Sequence, residues 1–231
     1  ATLVVLLPAV LAILFWIPRL RTTEPHIQVT AHSAKSEARA VYRSPLAWAI
    51  LGFFGFQSLG FYALLGWLPS MLISTGMQPA AAGAYLGLAT AIGIPSGFAL
   101  APLISKLKNL SWLAAGASAV TTSGFSVLAF ILATDSADNA ALLILASVLI
   151  SVGQTATFPV SLSLVATRAS THAQTTVLSA FSQGWGYLIS GFGTFAFGAM
   201  AAAFSSWTVV ALTIAAISAV KELTTLGQLP S

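Results

Sequence analysis

Apolar residues run along this chain in blocks of roughly helix-spanning length, separated by short polar gaps. The blocks extend from Ala1 to Ile17, Leu46 to Leu68, Ala81 to Leu103, Trp112 to Ala133, Ala140 to Val165, Thr176 to Met200, and Trp207 to Val220. A helix rises about 1.5 Å per residue, so about 20 residues cross the hydrocarbon core of a bilayer. The blocks are apolar at nearly every position, whereas the strands of a membrane barrel would be shorter and alternate with a polar lumen face. The pattern predicts seven membrane-spanning helices, and the fold class is an all-α membrane protein. In the first block Arg19 and Arg21 follow the apolar stretch and no A-x-A site is present, so it reads as a spanning helix and not a signal peptide. It is short and begins at Ala1 without a methionine, from which upstream sequence is expected.

Composition agrees with the pattern. Hydrophobic residues make up 57% of the 231 positions and charged ones 6%, and the mean hydropathy is +0.91, too little polar surface to cover a soluble globule. A net charge of +4 would point to nucleic acid in a soluble domain. Here the cations fall in the gaps between apolar blocks, where they orient helices in a bilayer, and no nucleic-acid partner is expected. Cys 0 removes disulfides, thiolate nucleophiles and Cys-ligated metals together.

The cations also set an expected orientation. Arg19, Arg21, Lys35, Arg39 and Arg43 share one gap, Lys106 and Lys108 another, Arg168 a third, and Lys221 follows the last block. The intervening gaps, around 75–80, 134–139 and 203–206, contain no Lys or Arg. Basic gaps face the cytoplasm, which places the amino end outside and the carboxyl end inside, in a bacterial inner membrane. The sequon at Asn109 is then cytoplasmic and carries no glycan. Residues 1–18 read as the truncated last helix of an amino-terminal half, 19–45 as a cytoplasmic linker, 46–222 as a six-helix carboxyl-terminal half, and 223–231 as a tail. His26 and His32 in the linker lack carboxylate or thiolate support, so no metal is assigned and no cofactor is expected.

Inside the blocks no Asp, Glu, Lys, Arg or His occurs, and the chain is expected to bury no charge. That absence disfavours an intramembrane enzyme. The notable polar groups are amides. Gln57, Gln154 and Gln183 are each followed four residues later by an aromatic, Phe61, Phe158 and Tyr187. Four residues is about one helical turn, so each pair sets a hydrogen-bonding amide beside a π-face, as the wall of a small-molecule pocket requires. Ser58 and Tyr62 widen the first pair. The alternative is that each glutamine bonds a neighbouring helix, contributing about 0.6–2 kcal/mol. Pro159 frees the carbonyl of Thr155 beside Gln154, and Pro95 that of Ala91, the mark of bent helices in alternating-access proteins. Ser182, Gly186, Ser190, Thr194 and Gly198 recur every four residues, and Gly83 with Gly87 and Gly93 with Gly97 repeat the small-xxx-small spacing. These read as packing seams. Five tryptophans lie at span ends as interfacial anchors, and Trp185 stands apart inside a span.

The stretches "FFGFQSLGFYALLGWLPSMLISTG" (Phe53 to Gly76), "AAGAYLGL" (Ala81 to Leu88), "TRASTHAQ" (Thr167 to Gln174) and "SAFSQGWGYLISGFG" (Ser179 to Gly193) resemble the cyanate-porter subfamily of the major facilitator superfamily, which includes nitroimidazole transporters. The resemblance implies the carboxyl-terminal half of a secondary or facilitative transporter built from two three-helix inverted repeats, moving a small polar molecule or anion by alternating access. It places Gln57 and Gln154 on opposed cavity walls, with Ser58, Phe61, Tyr62, Phe158, Gln183 and Tyr187 as further substrate-binding residues. The partners implied are the small-molecule substrate, the lipid bilayer and an amino-terminal half. The loop "APLISKLKNLSW" departs from the superfamily's glycine-and-aspartate signature and leaves Lys106 and Lys108 without an acidic partner. The alternative function is a non-transporting structural or receptor half.

Overall fold

A computed structural model describes residues 31–106 and 110–226. The helices in it are α1 (Ala31–Arg43), α2 (Pro45–Ile73), α3 (Pro79–Lys106), α4 (Leu110–Ala133), α5 (Ala140–Arg168), α6 (His172–Phe204) and α7 (Trp207–Leu226). The first apolar block, Arg19, Arg21, His26, Lys108, Asn109 and the last five residues lie outside the described residues. Helices α2 to α6 each contain a stretch long and apolar enough to cross a membrane, and the apolar part of α7, Trp207–Lys221, is shorter. The 20 residues of α7 still reach about 30 Å.

The helices outrun the apolar blocks because backbone ladders stop at caps and not at the hydrocarbon edge. Ser44, Asn139 and Thr171 are N-caps whose side-chain oxygens accept from the backbone N–H groups of Ala47, Leu142 and Gln174. Gln174 reaches back to accept from the Ser170 N–H at 2.6 Å, a capping-box-like exchange that fixes the α5–α6 turn. Ser205 closes α6 in the left-handed region at φ 48°. Proline does not end a helix here: Pro69, Pro95, Pro102 and Pro159 all lie within helices. The sequence reading placed Pro69 at the end of its span, and the helix continues another turn to Ile73.

The segment read as a linker is helical over Ala31–Arg43, docked by Val41 and Tyr42 against α2 and α6. One reading is corrected: the chain does bury an ionisable side chain, since α7 runs past the last apolar residue and Lys221 is 1% exposed with Nζ 5.6 Å from the Phe53 ring centre.

The packing interleaves two triplets. α2 packs chiefly on α6 and α3 on α5, so the second helix of each triplet rests on the first helix of the other. α4 is clasped by α5 and α7. Glycine makes these crossings close. A Cβ on Gly153 of α5 would lie 2.7 Å from the Thr121 nitrogen and 2.8 Å from the Ala117 oxygen of α4, and one on Gly124 would lie 2.7 Å from the Ile150 nitrogen. The predicted α6 seam is real: Gly186 lies against Gly55, Ser190 donates to the Gly55 carbonyl at 3.2 Å, and Gly198 receives the Trp67 ring. Trp67 in turn donates from Nε1 to the Thr194 carbonyl at 2.9 Å, which makes it an interhelical bolt more than an interfacial anchor. Of the two α3 motifs, Gly93 and Gly97 face Thr155 of α5, whereas Gly83 and Gly87 meet nothing within 4 Å.

Because Cβ atoms at the α4–α5 crossing would strike backbone, which cannot rotate away, Gly153→Ala should cost on the order of 1–3 kcal/mol. Gly116, also within the bundle helices, has nothing within 4 Å and serves as the control. The detergent melting temperature should fall by several degrees for Gly153→Ala and stay at the parent value for Gly116→Ala. Equal melting temperatures for both would rule out the close crossing.

Candidate functional site

α2 and α5 are long apolar helices whose central turns carry amides, and the bundle sets those turns face to face. Gln57, Ser58, Phe61 and Tyr62 from α2 meet Gln154, Thr155, Phe158 and Pro159 from α5, with Tyr187 of α6 and Gly97 of α3 closing the sides. Together they line a cavity of about 430 Å³. Seven of the eight residues expected from the sequence are in this one lining, and its ionisable members are the two tyrosines.

Aromatic rings shape it. Phe54, fully buried, lies behind the wall with Tyr187 edge-on at 5.2 Å and Phe158 tilted at 6.1 Å. Phe54 has room because Gly186 has no side chain, since a Cβ there would stand 2.6 Å from the Phe54 ring. The α6 seam therefore also sets the position of the Tyr187 ring. Tyr62 stands edge-on to both Tyr187 and Phe61, at 6.3 and 5.6 Å. A flat, polarisable ligand finds ring edges and faces on several sides.

The amides differ. Gln57 is buried, and its Oε1 accepts a bond from Ser58 Oγ at 3.2 Å. Gln154 is 4% exposed, and both its Nε2 and Oε1 are buried without a hydrogen-bond partner. It reaches across to α2, where its Nε2 would stand 2.7 Å from a Cβ on Gly60. A Cβ at position 60 would oblige the end of the amide to shift. An amide buried without partners costs about 1–3 kcal/mol, and here a donor and an acceptor are both left open at the cavity wall. The local backbone is better served: Thr157 Oγ1 donates to the Gln154 carbonyl and Ser161 Oγ to that of Phe158, around the interruption at Pro159.

A second chamber of about 580 Å³ opens from the first between α2, α3 and α5, sharing Phe61, Gly97, Gln154 and Thr155. Gln154 thus stands on the partition. Gly97 was legible only as a packing residue. Thr155 was legible beside Gln154 through its freed carbonyl, and Pro159 was read as a bend but not placed in the site.

Gln183 stands elsewhere. It faces a separate groove with Thr175, Thr176 and Ser179, and its Nε2 donates to Ser179 Oγ at 2.6 Å within its own helix. Its i+4 neighbour Tyr187 turns into the cavity while Gln183 does not, since four residues advance about 40° around the helix and 6 Å along it. Trp185, the tryptophan inside a span, points from Nε1 toward the Tyr42 hydroxyl of α1 at 3.4 Å.

The sequence profile of the Major Facilitator Superfamily matches residues 1–194. The chain is 31% identical over 210 residues to "Uncharacterized transporter YycB" of Bacillus subtilis (strain 168), an alignment covering 90% of this chain and 50% of that protein. It is 30% identical over 208 residues to the "2-nitroimidazole transporter" of Escherichia coli (strain K12), again covering 90% of this chain and 50% of that protein. The chain spans about half the length of these curated relatives. A multi-span helical bundle with interleaved triplets and a mid-bundle cavity agrees with a profile match over most of the chain, and the protein belongs to the Major Facilitator Superfamily.

Proposed function

We propose that this chain forms the carboxyl-terminal half of a transporter that carries a small polar molecule or anion, of nitroimidazole or cyanate size, by alternating access. The observation that supports this most directly is Gln154, a buried amide with neither atom partnered, in the wall of a cavity to which the facing helix contributes Gln57, Ser58 and Tyr62. The cavity volume suits a ligand of this size. A related protein is named for transport of 2-nitroimidazole, a flat heterocycle that offers donors and acceptors to an amide. α3 and α6 carry broad exposed apolar surfaces, among them Phe98, Phe192 and Phe195, on either side of the cavity. In this reading they receive the other half of the transporter, which supplies the opposite wall. The bulk of the work is recognition and movement, with no chemical step on the ligand.

The orientation belongs to the same proposal: basic gaps inside, amino end outside, in the cell membrane of a bacterium. Single cysteines at Gln78 and Asp138, both exposed, should react with an impermeant thiol reagent in intact cells, and cysteines at Ser36 and Ser170 only after lysis. Reaction at Ser170 in intact cells would invert the topology. Asp138 is preferable to its neighbour Ala137, which is buried.

The amides give a sharper test on the full-length transporter, with 2-nitroimidazole as the probe ligand. Gln154→Leu removes a ligand bond, worth about 1–3 kcal/mol, so affinity should fall roughly five- to 150-fold. Because the amide is unpartnered before the ligand arrives, the same change should leave the melting temperature level or higher. Tyr187→Phe should weaken binding more mildly, and Gln183→Leu not at all. Unchanged affinity with a lowered melting temperature for Gln154→Leu would mean that this amide is helix glue and that the ligand lies elsewhere.

A further inference from the structure

α1 separates its charges by face. Lys35, Arg39 and Arg43 recur at four-residue spacing and so share one side of the helix, while Glu37 and Val41 fall on another. Val41 is buried in a cluster with Ala47, Leu51 and Phe181, which fixes the rotation of α1 on the bundle. Arg39 and Arg43 are exposed as a result. The helix end is held by aromatic contacts: Tyr42 stands edge-on to Phe181 at 4.8 Å, Trp48 does the same at 5.3 Å, and Trp48 Nε1 donates to the Tyr42 carbonyl at 2.9 Å. Tyr42 and Trp48 keep about half their surface exposed, as side chains do at a membrane–water boundary.

Beside this basic face lies a groove of about 360 Å³ between α1 and α6, apolar but for the Tyr42 and Trp185 edges, with Gly184 at its floor. Gly184 has nothing within 4 Å, so the floor is open. A strip of cations bordering an apolar trough at the level of interfacial tryptophans is complementary to one kind of molecule. We propose that α1 and α6 form a binding site for an anionic glycerophospholipid, with the phosphate against Arg39 and Arg43 and an acyl chain in the groove over Gly184. Arginine binds phosphate with paired N–H donors, and juxtamembrane cations draw anionic lipid to their surface. The site lies apart from the cavity of α2 and α5 and ends on α6 at Leu188, a turn before the Phe192 and Phe195 surface given above to the other half, and the inference does not depend on what that cavity carries.

Native mass spectrometry of the full-length protein in detergent, titrated with phosphatidylglycerol or with phosphatidylcholine of the same chains, tests it. The parent should retain one phosphatidylglycerol with a preference of about thirtyfold over phosphatidylcholine, the gain expected from two cations. Arg39→Gln with Arg43→Gln should equalise the two lipids, while Arg39→Lys with Arg43→Lys should hold the preference to within about threefold. Gly184→Leu projects a side chain into the groove from a position where a Cβ meets nothing within 4 Å, and should weaken retention of both lipids. No preference in the parent, a preference that survives the double Gln variant or vanishes in the double Lys variant, or undiminished retention in Gly184→Leu, would each overturn the site. An absence of any retained lipid would assign the groove to protein packing.

Discussion

Close approach of helix backbones is the constraint on which the rest of this bundle depends. In lipid an apolar side chain gains little by leaving hydrocarbon for protein, so helices associate through short contacts and interhelical hydrogen bonds. Here the contacts are made by glycine and small hydroxyl residues: Gly153 and Gly124 between α4 and α5, Gly186 and Ser190 between α2 and α6, Gly93 and Gly97 between α3 and α5. Most serine and threonine hydroxyls described along these helices donate back to a carbonyl three or four residues earlier, as Ser182, Thr194 and Thr121 do. Such hydroxyls are small surfaces already satisfied, suitable for packing and neutral in lipid.

Against that background the cavity is a region where the close-packing rule is suspended. Phe61, Tyr62, Phe158 and Tyr187 stand between α5 and the close-packed pair of α2 and α6, at the level where Gln57 and Gln154 face inward. The separation is anchored from behind by Phe54 in the space left by Gly186. One glycine thereby serves packing and site geometry together: it lets α6 approach α2 and lets a ring reach the back of the binding wall. A glycine-to-alanine change there would act on both at once, unlike one at Gly153, which touches only the α4–α5 crossing.

The spans were legible because nothing but a helix satisfies its own backbone in hydrocarbon, and twenty consecutive apolar residues announce that solvent. Their ends were not, since Ser44, Asn139 and Thr171 cap turns that lie outside the apolar blocks. α1 was hidden for the same reason, its polar composition looking like a linker although its charges and apolar residues keep helical spacing. Gln57 and Gln154 could be found as amides in apolar surroundings, and they converge. Gln183 carried the same signal and faces away, because an aromatic four residues on fixes a neighbour within one helix but says nothing about which side of that helix meets the others. Lys221 escaped notice at the end of an apolar block, where a cation ordinarily turns out to the headgroups, and the extra turns of α7 carry it under Phe53 instead.

The interleaving of the triplets also bears on how the chain is made. The bond from Ser190 to the Gly55 carbonyl spans 135 residues, and the seam it belongs to is the main resting place of α2. Ribosomes add about 5–20 residues per second, so α2 waits on the order of ten seconds in the membrane before its partner helix exists. During that interval Gln57 and Ser58 have only each other and whatever the insertion machinery or lipid headgroups offer. The face of α2 that carries Gly55 therefore stays uncovered through much of synthesis, and the first triplet gains its main support only once the second has been made.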